Sequence, residues 1–123
     1  MPIDRIRLAQ LLEREELRFV KTHPRSQALH DEARKHLPGG VPMHWMVRWP
    51  GAFPLFVDAA DGARFRDADG HEYVDFCLGD TGAMGGHAPA AAVAALTAQL
   101  PRGIALMLPT ADAAAVATEL TRR

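Results

Sequence analysis

The residues best suited to chemistry in this sequence lie in a glycine-rich stretch that follows a predicted strand. Four of the eleven residues from 79 to 89 are glycine, which indicates a close-packed or sharply turned backbone. A loop between a strand and a helix can present backbone N–H groups to an anion. The stretch contains no lysine and matches neither the G-x-G-x-x-G pattern nor the phosphate-binding loop. The alternative is a tight connection that binds no ligand.

Two ionisable residues lie among these glycines. Asp80 and His87 could form an acid–base pair or half of a metal site. The alternative for His87 is a position at the start of a helix, hydrogen-bonded to backbone. The six histidines and one cysteine of the chain form no C-x-x-C or H-x-x-x-H pattern, so we expect no metal site. Cys77 is predicted to be an inert thiol within an apolar strand.

A second candidate is Arg48, in a stretch rich in proline and aromatic residues. An arginine beside aromatic side chains can bind a carboxylate in a bidentate manner, while the aromatic rings exclude water. The alternative is a surface arginine that stacks on Trp45 or Trp49. The sequence alone leaves both open.

The elements that must position these residues are predicted from periodicity and turn signals. We expect helices over 3–20, 24–36, 90–100 and 111–121. Three short antiparallel strands are expected over 53–60, 63–66 and 72–78, because D-G and D-A-D-G turns separate them. The aspartates at these turns and strand edges are expected to be solvated. They are Asp58, Asp61, Asp67 and Asp69.

The fold class is therefore α+β, in four segments. We predict a helical arm over 1–37, an ordered loop over 38–53, a β-meander over 54–78, and a glycine-rich loop followed by helices over 79–123. The loop 38–53 contains three prolines and two tryptophans, which is typical of an ordered segment laid over a core or pocket.

Composition excludes several classes of protein. The 123 residues include 14 Lys/Arg and 15 Asp/Glu, a net charge of -1, whereas nucleic-acid-binding domains carry a strong basic excess. No apolar run approaches the ~20 residues that span a bilayer. The first 50 residues carry a net charge of +3 and the remainder -4. A single cysteine and a charged N-terminus favour a cytoplasmic location.

A longer pattern resembles a known family. The run from 53 to 76 reads P-L-F, A-D-G, D-x-D-G and Y-x-D-F in order, followed by Gly86-His87 and a predicted helix. This run resembles the N-terminal meander of class III pyridoxal-phosphate (PLP) aminotransferases. The branch with glutamate-1-semialdehyde 2,1-aminomutase and β-amino-acid aminotransferases is the most similar, because its first helices also end in a Pro-Gly turn like Leu37–Gly40. The resemblance covers about residues 18–121.

The resemblance implies roles for several residues. Arg48 matches an arginine that helps to bind the substrate carboxylate, and His44 could occupy part of the same space. Gly79, Asp80 and Thr81 lie in the loop that approaches the cofactor. The aminomutase has a Ser-Trp pair at about Gly79-Asp80, and its absence favours a transaminase with an unknown amino donor. PLP, an amino-acid substrate and a homodimer are implied for the full-length enzyme.

The Schiff-base lysine of the family is missing. Lys21 and Lys35 both lie on the helical arm, and neither is in a family lysine motif. We therefore expect part of the small domain of a fold type I PLP enzyme, with a large domain expected after Arg123, and no activity for this chain alone. The alternative is a stand-alone, non-enzymatic α+β remnant or dimerisation module.

Overall fold

Two helices form the N-terminal arm of the computed structural model, which describes residues 3–48 and 50–122. Helix α1 spans Arg5–Thr22, and its first turn is capped by Asp4, whose carboxylate accepts a hydrogen bond from Arg7 N at 2.9 Å. Helix α2 spans Pro24–Ala33 and begins with proline at its first position. Both predicted helices are confirmed, α1 two residues later at each end and α2 three residues shorter.

Three short strands form an antiparallel sheet in the order β1-β2-β3, as the sequence predicts. Strand β1 is Val57–Asp61, β2 is Arg64–Asp67 and β3 is Glu72–Val74. The pairing of β1 with β2 is irregular between Val57 and Ala59. The glycines of both connecting turns have positive φ, 52° at Gly62 and 91° at Gly70, as tight hairpin turns require.

The first and third strands differ from the predicted ones at one end. Residues 53–56 precede β1 without joining the sheet, and Phe53 is buried there instead. Strand β3 ends at Val74 because the Asp75 carboxylate accepts hydrogen bonds from the backbone N–H groups of Cys77 and Leu78, which turns the chain. The predicted location of Cys77 within an apolar strand was wrong, since this residue follows the strand and is exposed.

The turn between β2 and β3 caps helix α2. The two carboxylate oxygens of Asp69 accept hydrogen bonds from Arg25 N at 2.7 Å and Ser26 N at 2.9 Å, and Ser26 is fully buried. Burial raises the pKa of Asp69, but the hydrogen bonds from these backbone amides outweigh it, so the net pKa is lowered. Asp69 therefore joins the sheet to the helical arm and is not the solvated turn residue that we expected.

Asp67 is the second aspartate for which the expectation of solvation was wrong, because only 1 % of its surface is exposed. Its Oδ1 accepts hydrogen bonds from Asp69 N at 3.0 Å and His71 N at 2.8 Å. Its Oδ2 lies 3.1 Å from both His71 Nδ1 and the Tyr73 hydroxyl, and 3.4 Å from His23 Nε2. Burial raises the pKa of Asp67, but hydrogen bonds from His71 and Tyr73 outweigh that effect, so the carboxylate stays ionised.

Apolar burial is modest. Two apolar side chains, Val41 and Phe53, are buried among the described residues, and the Phe53 ring lies 4.9 Å from that of Phe19 in α1. In contrast, many apolar residues of α1 are largely exposed, for example Ile6 at 75 % and Leu12 at 57 %.

The chain divides into two compact units, residues 1–88 and 89–123. The second unit contains α3 (Ala90–Gln99), a 3-10 turn (Leu100–Arg102) and α4 (Ala111–Arg122). Gly103, with φ of 87°, reverses the chain after the turn, and its carbonyl accepts a hydrogen bond from Gln99 Nε2 at 2.9 Å. No helix among the described residues is both long enough and apolar enough to cross a bilayer.

Candidate functional site

The glycine-rich loop is held by a pair formed from Asp75 and His87. His87 Nε2 lies 2.7 Å from Asp75 Oδ2, while Asp75 Oδ1 accepts hydrogen bonds from Cys77 N and Leu78 N, each at 2.8 Å. The hydrogen bond from His87, followed by those from the backbone amides, lowers the pKa of Asp75. The carboxylate is thus ionised at neutral pH and ties the two ends of the loop together.

The far end of the loop is anchored to the sheet through its backbone. His87 N donates to Gly62 O at 2.7 Å, and Gly62 N donates to His87 O at 3.0 Å, forming an isolated antiparallel bridge. Gly86 has φ of 89°, and a Cβ there would lie 3.3 Å from the Gly62 backbone. A side chain at residue 86 would therefore disturb the bridge.

Between these anchors the backbone adopts a rare conformation. Leu78, Asp80 and Thr81 have φ of 51°, 60° and 95°, a region that non-glycine residues seldom occupy, and Gly79 between them has φ of 60°. Such strain persists only where the surroundings enforce it, and it is concentrated at functional sites. Here the fixed ends of the loop provide that enforcement.

Three residues of this strained segment, Gly79, Asp80 and Thr81, are exposed to solvent. The Asp80 carboxylate and the Thr81 hydroxyl form no hydrogen bond with any other described residue. They are therefore available to a ligand. The possible pair of Asp80 with His87 is not found, because His87 Nε2 contacts Asp75; the alternative, a His87 hydrogen-bonded to backbone, is found through Gly62.

Arg48 and His44 form the two ends of a single 3-10 helix, His44–Arg48. Both are exposed, and neither side chain has a hydrogen bond or ion pair within residues 3–48 and 50–122. Arg48 makes no stacking contact with Trp45 in the described part of the chain, and Trp49 lies outside the described residues. The guanidinium is thus available to bind an anion.

The Pro-Gly turn positions this short helix. Gly39 has φ of 69°, and a Cβ there would lie 2.6 Å from Val47 Cγ1. Gly40 has φ of 72°, and a Cβ there would lie 2.6 Å from the ring of His30 in α2. Only glycine permits this approach, so the turn packs the Arg48 segment and α2 against a bare backbone.

The structure gives no hydrogen bond or ion pair, among the residues it describes, that joins Arg48 or His44 to the loop 79–81. The two parts of the predicted site are therefore not connected by a polar contact in the described residues. The Asp75–His87 pair was not predicted, although the Y-x-D-F pattern contains Asp75 and Gly86-His87 follows it.

A third group of residues was not anticipated at all. Donor atoms of His23, Asp67 and His71 lie within 4.8 Å of one another. His23 precedes Asp67 by 44 residues, so no ligand spacing within one element could have indicated the group.

No family model matches this chain. It is 40 % identical over 85 residues to glutamate-1-semialdehyde 2,1-aminomutase 1 of Cenarchaeum symbiosum, a match that covers 69 % of this chain and 20 % of the relative. The chain spans about a fifth of the length of the curated relatives it matches.

Solved structures match more completely. Crystal structures of a glutamate-1-semialdehyde aminomutase from Pseudomonas aeruginosa, one of them in complex with PMP, match 100 % of this chain and 27 % of theirs, with a TM-score of 0.89 and 50 % identity. A β-phenylalanine aminotransferase from Variovorax paradoxus matches 83 % of this chain and 23 % of its own, with a TM-score of 0.72 and 28 % identity.

Proposed function

We propose that this chain supplies substrate-binding and cofactor-facing loops to an enzyme that transfers an amino group. By sequence and fold the chain belongs to the class III PLP-dependent aminotransferases and corresponds to their N-terminal segment. The donor would be an amino acid and the acceptor a keto acid or a semialdehyde. The observation that carries this proposal is the match of the whole chain to 27 % of the P. aeruginosa enzyme at 50 % identity.

Arg48 is proposed to bind the carboxylate of the substrate. Its guanidinium is exposed and has no acidic partner among the described residues, so no ion pair must be broken when an anion binds. A guanidinium presents paired N–H groups that match the two oxygens of a carboxylate. His44, at the other end of the same 3-10 helix, is proposed to contact the same part of the substrate.

The strained loop is proposed to face the cofactor. Its ends are fixed by the Asp75–His87 pair and by the Gly62–His87 bridge, so Asp80 and Thr81 are held in place without using their own side chains. A preorganised segment of this kind loses little entropy when a ligand binds. A relative bound to PMP supports the choice of cofactor.

The described residues do not fit a complete PLP site. PLP enzymes of this kind attach the cofactor to a lysine amine, and PLP then supplies the electron sink for amino-group transfer. Lys35 Nζ lies 2.5 Å from Glu32 Oε2, and Lys21 is an exposed residue in the last turn of α1. Neither lies in the loop 77–88. We propose that the chain is inactive alone.

A homodimer is part of the proposal. The apolar residues Ile6, Leu12 and Leu17 of α1 are each more than half exposed. Exposed apolar surface of this kind is typical of faces that pack against another chain or domain.

A chimera tests the proposal. This chain would replace the matching segment of the P. aeruginosa aminomutase, and amino-group transfer would be measured. We expect activity to be retained, and Arg48→Ala to raise KM for the amino-acid substrate at least about tenfold, since a hydrogen bond to a charged group contributes about 1.5–3 kcal/mol. Arg64→Ala, an exposed arginine of β2, is the matched control.

Two results would contradict the proposal. One is a folded chimera without activity, which would favour the stand-alone, non-enzymatic module. The other is a KM that Arg48→Ala leaves unchanged.

Incubating the isolated chain with PLP, followed by borohydride reduction and mass spectrometry, tests the inactivity separately. We expect no stoichiometric adduct on Lys21 or Lys35. A full adduct with measurable transamination would show that the chain is active alone.

A further inference from the structure

We propose that His23, Asp67 and His71 form a binding site for one divalent transition-metal ion of the zinc class. The three residues join the α1–α2 junction to the β2–β3 turn, and they are separate from Arg48 and from the glycine-rich loop. The proposal is therefore independent of the proposed function.

The distances between the donor atoms suit a tetrahedral ion. Bonds of 2.0–2.1 Å to nitrogen and oxygen place tetrahedral ligand atoms about 3.3 Å apart. His23 Nε2 lies 3.4 Å from Asp67 Oδ2, and His71 Nδ1 lies 3.1 Å from the same oxygen. Two of the three ligand separations are thus already close to the required value.

In His23 and Asp67, the polar atom that does not face the proposed ion is hydrogen-bonded to the backbone. His23 Nδ1 lies 2.7 Å from the carbonyl oxygen of Phe19, which can only accept, so Nδ1 carries a proton, and Nε2 faces Asp67 and the Tyr73 hydroxyl. Asp67 Oδ1 accepts two backbone N–H groups, which directs Oδ2 towards the histidines. Hydrogen bonds of this kind fix the tautomer and orientation of metal ligands.

In the structure, hydrogen bonds connect the atoms that would bind the ion. The Tyr73 hydroxyl lies 2.8 Å from His23 Nε2 and 3.1 Å from Asp67 Oδ2, and His71 Nδ1 lies 3.1 Å from the same oxygen. Metal binding requires the His71 proton to reside on Nε2, which leaves Nδ1 for the ion. The Tyr73 hydroxyl then donates to Asp67 alone.

The site is buried on one side and accessible on the other. His23 is 7 % exposed and Asp67 1 %, whereas the His71 side chain is 41 % exposed. An open cleft of about 580 Å³, lined by Phe19, His23, His71 and Tyr73 among others, reaches the rings. This cleft provides a path for the ion and room for a water molecule as the fourth ligand.

Metal titration of the purified 123-residue chain tests the proposal. Zn²⁺ would be added in a calorimeter, and Co²⁺ would be followed by its visible ligand-field absorption. We expect one ion per chain, a Co²⁺ spectrum of tetrahedral intensity, and at least tenfold weaker binding in His71→Gln. His71 is the least buried ligand, so this variant is the one that best preserves the fold, which circular dichroism would check. His36→Gln, an exposed histidine of the helical arm, is the matched control.

The ligand atoms can be identified by ¹⁵N NMR of the imidazoles. We expect Zn²⁺ to shift His23 Nε2 and His71 Nδ1, the two atoms that face Asp67. The proposal is overturned if no stoichiometric ion binds at micromolar concentrations, or if His71→Gln and His36→Gln weaken binding equally. Zn²⁺ binding that leaves the His23 resonances unchanged overturns it as well.

Discussion

Replacing Asp67 by alanine should cause the largest loss of stability of any aspartate in the first unit. The carboxylate accepts hydrogen bonds from Asp69 N, His71 N, His71 Nδ1 and the Tyr73 hydroxyl. At about 1 kcal/mol net for each, their loss amounts to about 4 kcal/mol, because buried donors are left without acceptors. Asp67→Asn retains an oxygen for the two backbone amides, so we expect a loss of about 2 kcal/mol.

Urea and thermal denaturation, followed by circular dichroism, would measure these losses. For a unit of this size, 4 kcal/mol corresponds to a decrease in Tm of roughly 16–32 °C. Asp58→Ala is the matched control, because Asp58 forms an exposed ion pair with Arg66 at 2.8 Å and should contribute less than about 1 kcal/mol. If Asp67→Ala costs no more than Asp58→Ala, the assignment of Asp67 as the centre of the network is refuted.

Three further predictions concern the turn, the helix cap and the loop. Gly40→Ala should destabilise the chain by about 1–3 kcal/mol in urea, since its φ is 72° and its Cβ would collide with His30; an unchanged midpoint would contradict this. The pKa of Asp69 is lower in the folded than in the unfolded chain, so its contribution to the free energy of unfolding is present above about pH 4 and is lost as pH falls through the folded pKa. Urea denaturation at a series of acidic pH values should show this loss, and Asp69→Asn should make the free energy of unfolding depend less on pH. Asp75→Ala should speed hydrogen exchange at the backbone amide of Leu78, because this amide donates to the Asp75 carboxylate. Unchanged exchange would argue against the role of Asp75 in holding the loop.

The elements could be predicted from sequence because their signals are local. Periodic apolar residues, the Pro-Gly turn and the D-G turns each act within a few residues, and the helices and the three strands follow from them. The strand ends were less well predicted. Asp75 ends β3 because its carboxylate accepts hydrogen bonds from two backbone amides. The alternation of apolar and polar residues, from which the strand was predicted, does not indicate such a hydrogen bond.

The contacts that join the elements could not be predicted from the sequence. His23 meets Tyr73 across 50 residues, and Arg25 meets Asp69 across 44. An aspartate at a turn is normally solvated, so Asp67 was expected to be exposed, whereas it is buried. For the candidate site, the sequence indicated Arg48 and the loop 79–81 but left the surroundings of Arg48 open, and it did not indicate that His87 contacts Asp75.

The cap of α2 has a consequence for how the chain acquires its structure during synthesis. Helix α2 has ten residues, fewer than an isolated helix needs to be stable in water. Its capping carboxylate, Asp69, follows Arg25 by 44 residues, which a ribosome adds in about 2 to 9 s at 5–20 residues per second. During that interval the first turn of the helix has no cap. Helix α2 is therefore expected to become stable only once the meander has formed, although it is translated first.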